Sequence, residues 1–316
     1  MLALLRAAAE MATQLSAANA DALLVIATSI ASSLAAPEMQ NLSRLGRRHS
    51  AAALVAFDQL ARGAGKQILT ALIDLVGTVE AMWSLAVTTV EHRWVYPQAG
   101  SRMRIRALTH PFLGERSVPN DLTLDEAIRV YFVTGPNMAG KSTFLKAVGI
   151  AGLLAHAGCG VPAASMEFPS VGGLFSSVNV ADNVNTGESF YLAEVRRIGA
   201  LAQALHENGS VLAVVDEPFR GTNIHDAAEA TLAVVTRLAG HPSALVFIAS
   251  HIGEIVPSIS DDPRICLLNF AADLSGDRPR FDYRLRAGVS AQRLGMVLLR
   301  QEGVLDLLDR SAELPG

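Results

Sequence analysis

Cysteine and lysine are both scarce in this 316-residue chain. The few cysteines argue against a cysteine metal site, and the few lysines argue against an overall basic surface for nucleic acid. The two cysteines, Cys159 and Cys266, lie in apolar segments without metal-ligand spacing, so they predict buried thiols in a reducing compartment, by default the cytoplasm. Lys66, Lys141 and Lys146 are the only lysines. With a formal net charge of −4, the composition gives no overall electrostatic footprint for nucleic acid, and any DNA contact must use local arginines.

The N-terminal region lacks an apolar run that would cross a membrane comfortably. Arg6, Glu10 and Asp21 interrupt the sequence before Ala36, and residues 22–37 are too few for a span. No continuous apolar core follows a basic start, as a secretory signal requires. These residues therefore predict helices without a membrane contact, and the abrupt helical start is compatible with a fragment of a longer protein.

A long helix is predicted from Lys66 to Val90, because apolar residues recur there at alternating spacings of three and four. The stripe consists of Leu69, Leu72, Val76, Val79, Trp83, Ala86 and Val90. We expect it to pack on another helix, either within the chain or on a partner. Upstream, the basic residues 43–50 fit a solvated turn or a phosphate contact.

The pattern changes near residue 98, after which short apolar segments alternate with helical ones. Residues 130–133, 211–215 and 244–249 are predicted strands of an α/β sheet with substantial parallel character. The sequence therefore predicts a helical region at 1–97, an α/β domain at 98–287 and a helical segment at 288–316.

A phosphate-binding loop is predicted where the first of these strands meets a helix that begins near Lys141. The sequence Thr134-Gly-Pro-Asn-Met-Ala-Gly-Lys-Ser-Thr143 has the spacing G-x-x-x-x-G-K-S, which lets backbone N–H groups surround a polyphosphate while Lys141 reaches it and Ser142 binds Mg²⁺. An ordinary glycine turn is the alternative. The predicted binding residues are Gly135, Pro136, Asn137, Met138, Ala139, Gly140, Lys141, Ser142 and Thr143.

Two carboxylates end the strand at 211–215, and they are candidate catalytic groups. Asp216 is predicted to hold Mg²⁺ through its water shell, and Glu217 to polarise an attacking water; surface acids capping a strand are the alternative. His251 follows the strand at 244–249 directly, so it is placed at the same sheet edge, in a structural or a catalytic role. Thr222 or Asn223 is predicted to cap the next helix.

An Asn-rich segment, residues 179–189, leads into a helix that is predicted to run to about residue 206. Because a helix N-terminus favours anions, Ser189 and nearby amides are a candidate site for a γ-phosphate. The chain already has a phosphate loop, so this second anion site suggests the nucleotide of a partner subunit. An ordinary capped helix is the alternative.

These motifs together resemble the ATPase domain of the MutS family of DNA mismatch repair proteins, within the ABC-type ATPase group. Residues 134–143 resemble T-G-P-N-M-G-G-K-S-T, with Ala139 in place of the second of its three glycines. Residues 216–222 resemble D-E-[hydrophobic]-G-R-G-T, with Pro218 and Phe219 as departures.

The resemblance extends to weaker segments. Ala249-Ser-His251 is similar to the A-T-H switch, and Ser189 and Glu194 match the signature S-T-F-x-x-E. The neighbourhood of Asn120 resembles the segment that approaches adenine. Residues 288–295 resemble the start of the helices that interlock dimers, and the long helix after Lys66 is similar to the end of the lever arm.

The resemblance implies a P-loop ABC-type ATPase fold with a mixed sheet, preceded by an α-helical region. It implies ATP and Mg²⁺ as ligands, a homodimer whose two ATP sites are each completed by Ser189 of the other subunit, and His251 as a γ-phosphate sensor. DNA and repair proteins are implied partners of the full-length or assembled protein. Because about 100 helical residues are too few for connector, lever and clamp domains, mismatch recognition is not expected of this chain by itself.

Two other functions fit the same residues. One is an ABC-type ATPase that serves a process other than mismatch repair. The other is a module that binds ATP to dimerise without hydrolysing it.

Overall fold

The computed structural model describes residues 2–18, 20–47, 50–178, 190–276, 278–290, 292, 294–304 and 307. The chain divides into two compact units, Met1–Val87 and Thr88–Gly316.

The first unit is helical, as predicted for the N-terminal region. Its helices are α1 Leu2–Ala17, α2 Asp21–Ala35, α3 Pro37–Leu45, α4 Ala51–Arg62 and α5 Lys66–Glu91, the last of which continues past Val87. Ile30, Met39, Leu42 and Leu72 are fully buried or nearly so at the centre of this unit. Pro37 begins α3 at its first position, where its missing N–H costs no helical hydrogen bond.

The apolar stripe of α5 is buried over its first half only. Leu72 and Val76 belong to the core of the helical unit, whereas Trp83 is 71% exposed and Val90 is 76% exposed. The prediction that the whole stripe packs is therefore wrong for Trp83 and Val90 within this chain, because the core formed with the preceding helices reaches only as far as Val76. By length and composition alone, α5 meets the criteria for a membrane span, as the bent pair α2 and α3 does together, and core helices of soluble proteins meet the same criteria.

The second unit is α/β, which confirms the predicted class. Its strands are β1 Gln98–Ala99, β2 Arg104–Leu108, β3 Asn120–Thr123, β4 Val130–Thr134, β5 Ser165–Phe168, β6 Gly173–Ser177, β7 Val211–Asp216, β8 Ala244–Ala249, β9 Ile265–Asn269, β10 Ala272–Asp273, β11 Arg280–Phe281 and β12 Arg286–Ala287. Its helices are α6 Lys141–His156, α7 Phe190–Asn208, α8 Ile224–Gly240, α9 Val256–Ile259 and α10 Gly295–Gln301.

A six-stranded sheet in the order β12-β9-β4-β8-β7-β6 forms the centre of this unit. Its strands run parallel except β12, which pairs antiparallel with β9, so the sheet is mixed. Every residue of β4 is buried, as expected of a parallel strand that helices cover on both faces. Phe144 and Val148 of α6 pack on one face, and Val235 and Leu238 of α8 pack on the other.

The three predicted strands end at the same edge of this sheet. Val133 of β4 pairs with Ala249 of β8, and Ala249 pairs with Asp216 of β7. The segments that follow β4, β8 and β7 therefore emerge side by side, with β8 in the middle. A smaller sheet in the order β1-β5-β2-β3 lies in the same unit, and Asn120 begins its strand β3.

Candidate functional site

The loop between β4 and α6 takes a backbone path that two of its positions permit only for glycine. Gly135 has φ 140°, and a Cβ atom there would lie 2.4 Å from the Phe270 carbonyl oxygen. Gly140 has φ 110° and is the residue that precedes the first turn of α6. The spacing of the two glycines thus reflects two backbone constraints, and it leaves the N-terminus of a buried helix at the end of the loop.

The interior of the loop contains the departure noted in the sequence. Ala139 is fully buried and belongs to the main hydrophobic core, so its methyl group packs where the family motif usually has glycine. Met138 is 72% exposed and has φ 70°, an uncommon conformation for a residue with a side chain.

Lys141 is buried at the start of α6 and contacts the loop from within. Its side chain is 4% exposed, and Nζ donates hydrogen bonds to the carbonyl oxygens of Gly135 at 2.8 Å and Pro136 at 3.2 Å. Nζ also lies 3.9 Å from Oε1 of Glu217. Burial lowers the pKa of Lys141, and the carboxylates of Glu217 and Asp216 oppose that shift.

Asp216 lies at the end of β7 with one oxygen that has no partner. Oδ1 is buried and accepts no hydrogen bond from any of the residues that the structure describes. Burial raises the pKa of Asp216, while the nearby Ser142 hydroxyl lowers it. A buried carboxylate oxygen without a donor is costly, so this atom is suited to a cation or its water shell.

Glu217 and His251 form an ion pair between the ends of β7 and β8. Nδ1 of His251 lies 3.6 Å from Oε1 of Glu217, which is longer than an ordinary hydrogen bond. The interaction lowers the pKa of Glu217 and raises the pKa of His251, in both cases against the effect of burial. Glu217 therefore lies between two basic side chains, Lys141 and His251, at the end of the loop between β4 and α6.

The turn between β7 and α8 contains two residues with side chains in the left-handed region. Glu217 has φ 48° and Phe219 has φ 62°. The family motif has glycine at the position of Phe219. Glycine would adopt this left-handed φ without the steric cost that a side chain brings. Asn223, one of the two predicted caps, accepts hydrogen bonds from the backbone N–H groups of His225 and Asp226 at the start of α8.

The predicted signature segment is described only from its helix onward. Ser189 lies outside the described residues, so its contacts are not part of the site as the structure describes it. Glu194, on the second turn of α7, is buried, and its Oε2 accepts a hydrogen bond from the Gly221 backbone N–H at 3.0 Å. The sequence resemblance singled out Glu194, but it did not indicate a contact with the turn after β7.

A cavity of about 370 Å³ opens beside the first turn of α6. Its walls include Thr143 and Phe144 of α6 together with Phe270, Tyr283 and His110. Its size and mostly apolar lining are typical of small-molecule sites. Phe270 and Tyr283 were missed by sequence reasoning, because they lie far from the motif in sequence, and the aromatic pair Phe281 and Tyr283 was the one available signal.

Asn120 lines this cavity, but its amide is bonded to the backbone. Nδ2 donates to the carbonyl oxygens of Val118 at 3.2 Å and Tyr283 at 3.0 Å, and Oδ1 accepts from the Leu285 N–H at 2.7 Å. Asn120 therefore fixes the segment that carries Tyr283 against the start of β3.

Comparison with known proteins gives the family. A sequence model of MutS domain V matches residues 131–312. The DNA mismatch repair protein MutS 2 of Halobacterium salinarum is 32% identical over 252 residues, which cover 78% of this chain and 29% of that protein. The DNA mismatch repair proteins MutS of Chloroflexus aurantiacus and Thermus caldophilus are 31% and 30% identical, over 75% and 84% of this chain and 25% and 32% of their own lengths. The chain thus spans roughly a quarter to a third of these relatives, and it belongs to the MutS family.

Proposed function

We propose that this chain is a Mg²⁺-dependent ATPase with a P-loop fold, which converts ATP to ADP and phosphate. The observation that carries the proposal is the convergence of three strand ends at one sheet edge: the glycine loop after β4, Asp216 and Glu217 after β7, and His251 after β8. Phosphoryl transfer requires charge neutralisation and a positioned nucleophile, and this edge supplies groups for both.

The phosphates of ATP would bind the loop amides and Lys141. In the structure Lys141 Nζ is bonded to the carbonyl oxygens of Gly135 and Pro136, so these two bonds are what a phosphate oxygen would replace. Burial favours the exchange, because a charged amine in a low-dielectric site gains more from an anionic partner than from neutral carbonyl groups.

Ser142 and Asp216 would hold Mg²⁺, directly or through its water shell. The chemistry of this donor set fits the ion, since a hydroxyl and a buried carboxylate with an unpartnered oxygen lie side by side. When bound, the ion supplies neutralisation of phosphate charge.

Glu217 would position and polarise the attacking water, and His251 would sense the γ-phosphate. The ion pair between them keeps Glu217 ionised, which is the form that accepts a proton. His251 is half exposed, so it faces the space into which the γ-phosphate would extend.

The base of ATP would occupy the cavity beside α6. Aromatic walls from Phe270 and Tyr283 offer stacking surfaces, and Gly140 and Thr143 connect this cavity to the phosphate loop. Asn120 would act on the base through the segment of Tyr283 that it fixes, since its own polar atoms are already bonded.

We further propose that two copies share their ATP sites, with Ser189 of one copy acting on the nucleotide of the other. The domain scheme of a lever-arm region at 1–97, an ATPase domain at 98–287 and a dimerisation segment at 288–316 belongs to this proposal. Because the relatives bear the name of DNA mismatch repair proteins, the motor is proposed to act in mismatch repair or a related DNA transaction. DNA and repair proteins would be partners of the assembled protein.

Phosphate release and nucleotide binding test the ATPase. Lys141→Ala should weaken ATP binding by about a hundredfold or more, because it removes the main cation of the site. Lys66→Ala, which changes an exposed lysine at the start of α5, is the control and should bind ATP normally. Glu217→Gln should keep ATP but lose about a hundredfold in turnover, because it removes the base. Full turnover by Glu217→Gln would reject the assignment of the base.

Two further measurements separate the rival functions. Sedimentation with and without ATP, beside phosphate release, separates an ATPase from a module that dimerises without hydrolysis: dimers without phosphate release support the module. Binding to homoduplex, mismatched and branched DNA at a stated salt concentration tests which kind of DNA the proposed motor acts on. The absence of any preference for mismatches would remove mismatch sensing from this chain and leave the ATPase in place.

A further inference from the structure

Two contacts join the first turns of α7 to the turn that follows β7. The Glu194 carboxylate accepts a hydrogen bond from the Gly221 backbone N–H at 3.0 Å. The ring of Phe219 packs on the ring of Tyr191, with centroids 6.0 Å apart. Positions 191 and 194 are three residues apart and share one face of the helix. The turn is therefore held to α7 at two points, by one polar and one apolar contact.

Each contact has one buried member. Glu194 is 6% exposed and Phe219 is 3% exposed. Burial raises the pKa of Glu194, and the backbone N–H groups of Gly221 and Arg220 oppose that shift. A carboxylate is costly to bury unless donors compensate it, so Glu194 is a specific acceptor for this turn and not a surface charge.

The turn needs such support because its backbone is strained. Glu217 and Phe219 both have left-handed φ values, at 48° and 62°. Both conformations are unfavourable for a residue with a side chain, and they persist only where their surroundings hold them. On its first side the turn is fixed by the bond from the Glu217 N–H to the Ala249 carbonyl oxygen at 2.8 Å. On its other side the contacts with α7 hold it.

The same contacts lie next to the catalytic carboxylates. Glu194 and Asp216 line one cavity of about 20 Å³, together with Ser177. Phe219 is separated from Glu217 by a single residue, Pro218, which is buried. A shift of α7 relative to this turn must therefore change the backbone conformation close to Glu217.

We propose that Tyr191, Glu194 and Phe219 form a clasp through which α7 sets the orientation of Glu217 in the same chain. The three are positioning residues, since they would act on the nucleotide site through the turn that carries Glu217. The inference rests on the proposed ATPase, in which Glu217 positions water. A displacement of α7 is thereby converted into a change in the rate of hydrolysis, with ATP binding at the phosphate loop left unchanged.

The test combines turnover with amide exchange in the full chain. Phe219→Ala and Glu194→Ala remove one contact each, and Tyr191→Leu weakens the apolar contact more mildly. Phe219→Leu and Glu194→Gln keep an apolar side chain and an acceptor oxygen, so they should restore most of the function. Glu207→Ala is the matched control, because Glu207 lies near the other end of α7 and its carboxylate is bonded to Gln203 of the same helix.

The disruptive variants should lower kcat by about tenfold, with KM and the affinity for a fluorescent ATP analogue within about twofold. Hydrogen exchange in a peptide that covers residues 216–222 should accelerate about tenfold in the same variants and not in Glu207→Ala. Exchange of the β4 amides is followed in the same samples, so that acceleration confined to residues 216–222 is distinguished from a loss of global stability.

Three outcomes decide between the clasp, its role in positioning Glu217 and the proposed ATPase. Unchanged exchange in residues 216–222 in both Phe219→Ala and Glu194→Ala overturns the clasp. Faster exchange with unchanged kcat overturns its role in positioning Glu217. If the wild-type chain releases no phosphate at all, the proposed function fails separately, and exchange still decides whether α7 holds the turn.

Discussion

Two strand-turn-helix junctions lie at one edge of the sheet, and they solve the same backbone problem in different ways. After β4 the left-handed positions are occupied mainly by glycine, at Gly135 and Gly140, with Met138 as the exception. After β7 they are occupied by Glu217 and Phe219, which carry side chains. The first junction is therefore specified locally by residue type, whereas the second depends on contacts with α7 that come from elsewhere in the sequence.

Breaking the first junction should have the largest effect on function, because it should also abolish ATP binding. Gly135→Ala places a Cβ atom 2.4 Å from the Phe270 carbonyl oxygen at a φ that side chains rarely adopt. Both the close contact and the unfavourable φ involve backbone atoms that cannot move aside. We therefore expect a loss of about 2–4 kcal/mol of stability in urea unfolding, together with loss of ATP binding.

The control for this change is another glycine of the same unit. Gly199 lies inside α7, and a Cβ atom added there meets nothing within 4 Å. Gly199→Ala should stabilise the chain by about 0.5–1 kcal/mol, because alanine is the better helix former. Equal effects at Gly135 and Gly199 would contradict the claim that the first junction is specified by its glycines.

The difference between the junctions also explains what the sequence could predict. Strands β4, β7 and β8 were predictable because continuous apolar runs identify buried parallel strands. The turn between β4 and α6 was predictable because its glycines permit the left-handed backbone that it has. Asp216 and Glu217 followed from their place at a strand end. The roles of these residues in ATP chemistry stay predictions until they are measured.

The remaining features depend on contacts between residues that are distant in sequence. Tyr283 reaches the cavity because Asn120 fixes its segment across a separation that no local pattern encodes. Trp83 continues the apolar period of α5 but lies exposed beyond the helices that cover its first half, so it does not pack within this chain, and packing on a partner stays a prediction. Phe219 likewise looked like a departure from a motif, and only its packing on Tyr191 gives it a role.

The strain in the second junction can be tested by comparing the stabilities of two variants at one site. Phe219→Ala and Phe219→Gly both remove a buried ring, which costs about 3–5 kcal/mol. Glycine also removes the penalty of the left-handed backbone, so Phe219→Gly should be the more stable variant by about 1 kcal/mol. At Phe144, inside α6, the order should reverse by a similar amount, because alanine is favoured in a helix. Urea midpoints of the four variants test this, and the same order at both sites would show that the turn is not strained.

The smallest expected effect concerns the ion pair that joins the second junction to β8. The pKa of Glu217 is lowered from its ordinary 4.5, so its contribution to stability is present above pH 4.5 and is lost as the pH falls. The pKa of His251 is raised from 6.5, so its contribution is present below pH 6.5 and is lost as the pH rises through the folded value. The pair therefore stabilises most between these two values.

Glu217→Gln tests this window by removing one member of the pair. The stability difference from wild type should be larger at about pH 5.5 than at about pH 8.5, and it should stay under about 1 kcal/mol because His251 is half exposed. In an NMR titration the same substitution should lower the pKa of His251 from its raised value, because burial and the nearby Lys141, which both lower it, are then unopposed. Glu80→Gln, an exposed acid on α5, should change neither quantity. A pKa of His251 that does not respond to Glu217→Gln would mean that the two junctions and β8 meet at this edge without electrostatic coupling, and the sensing role of His251 would then need a different partner.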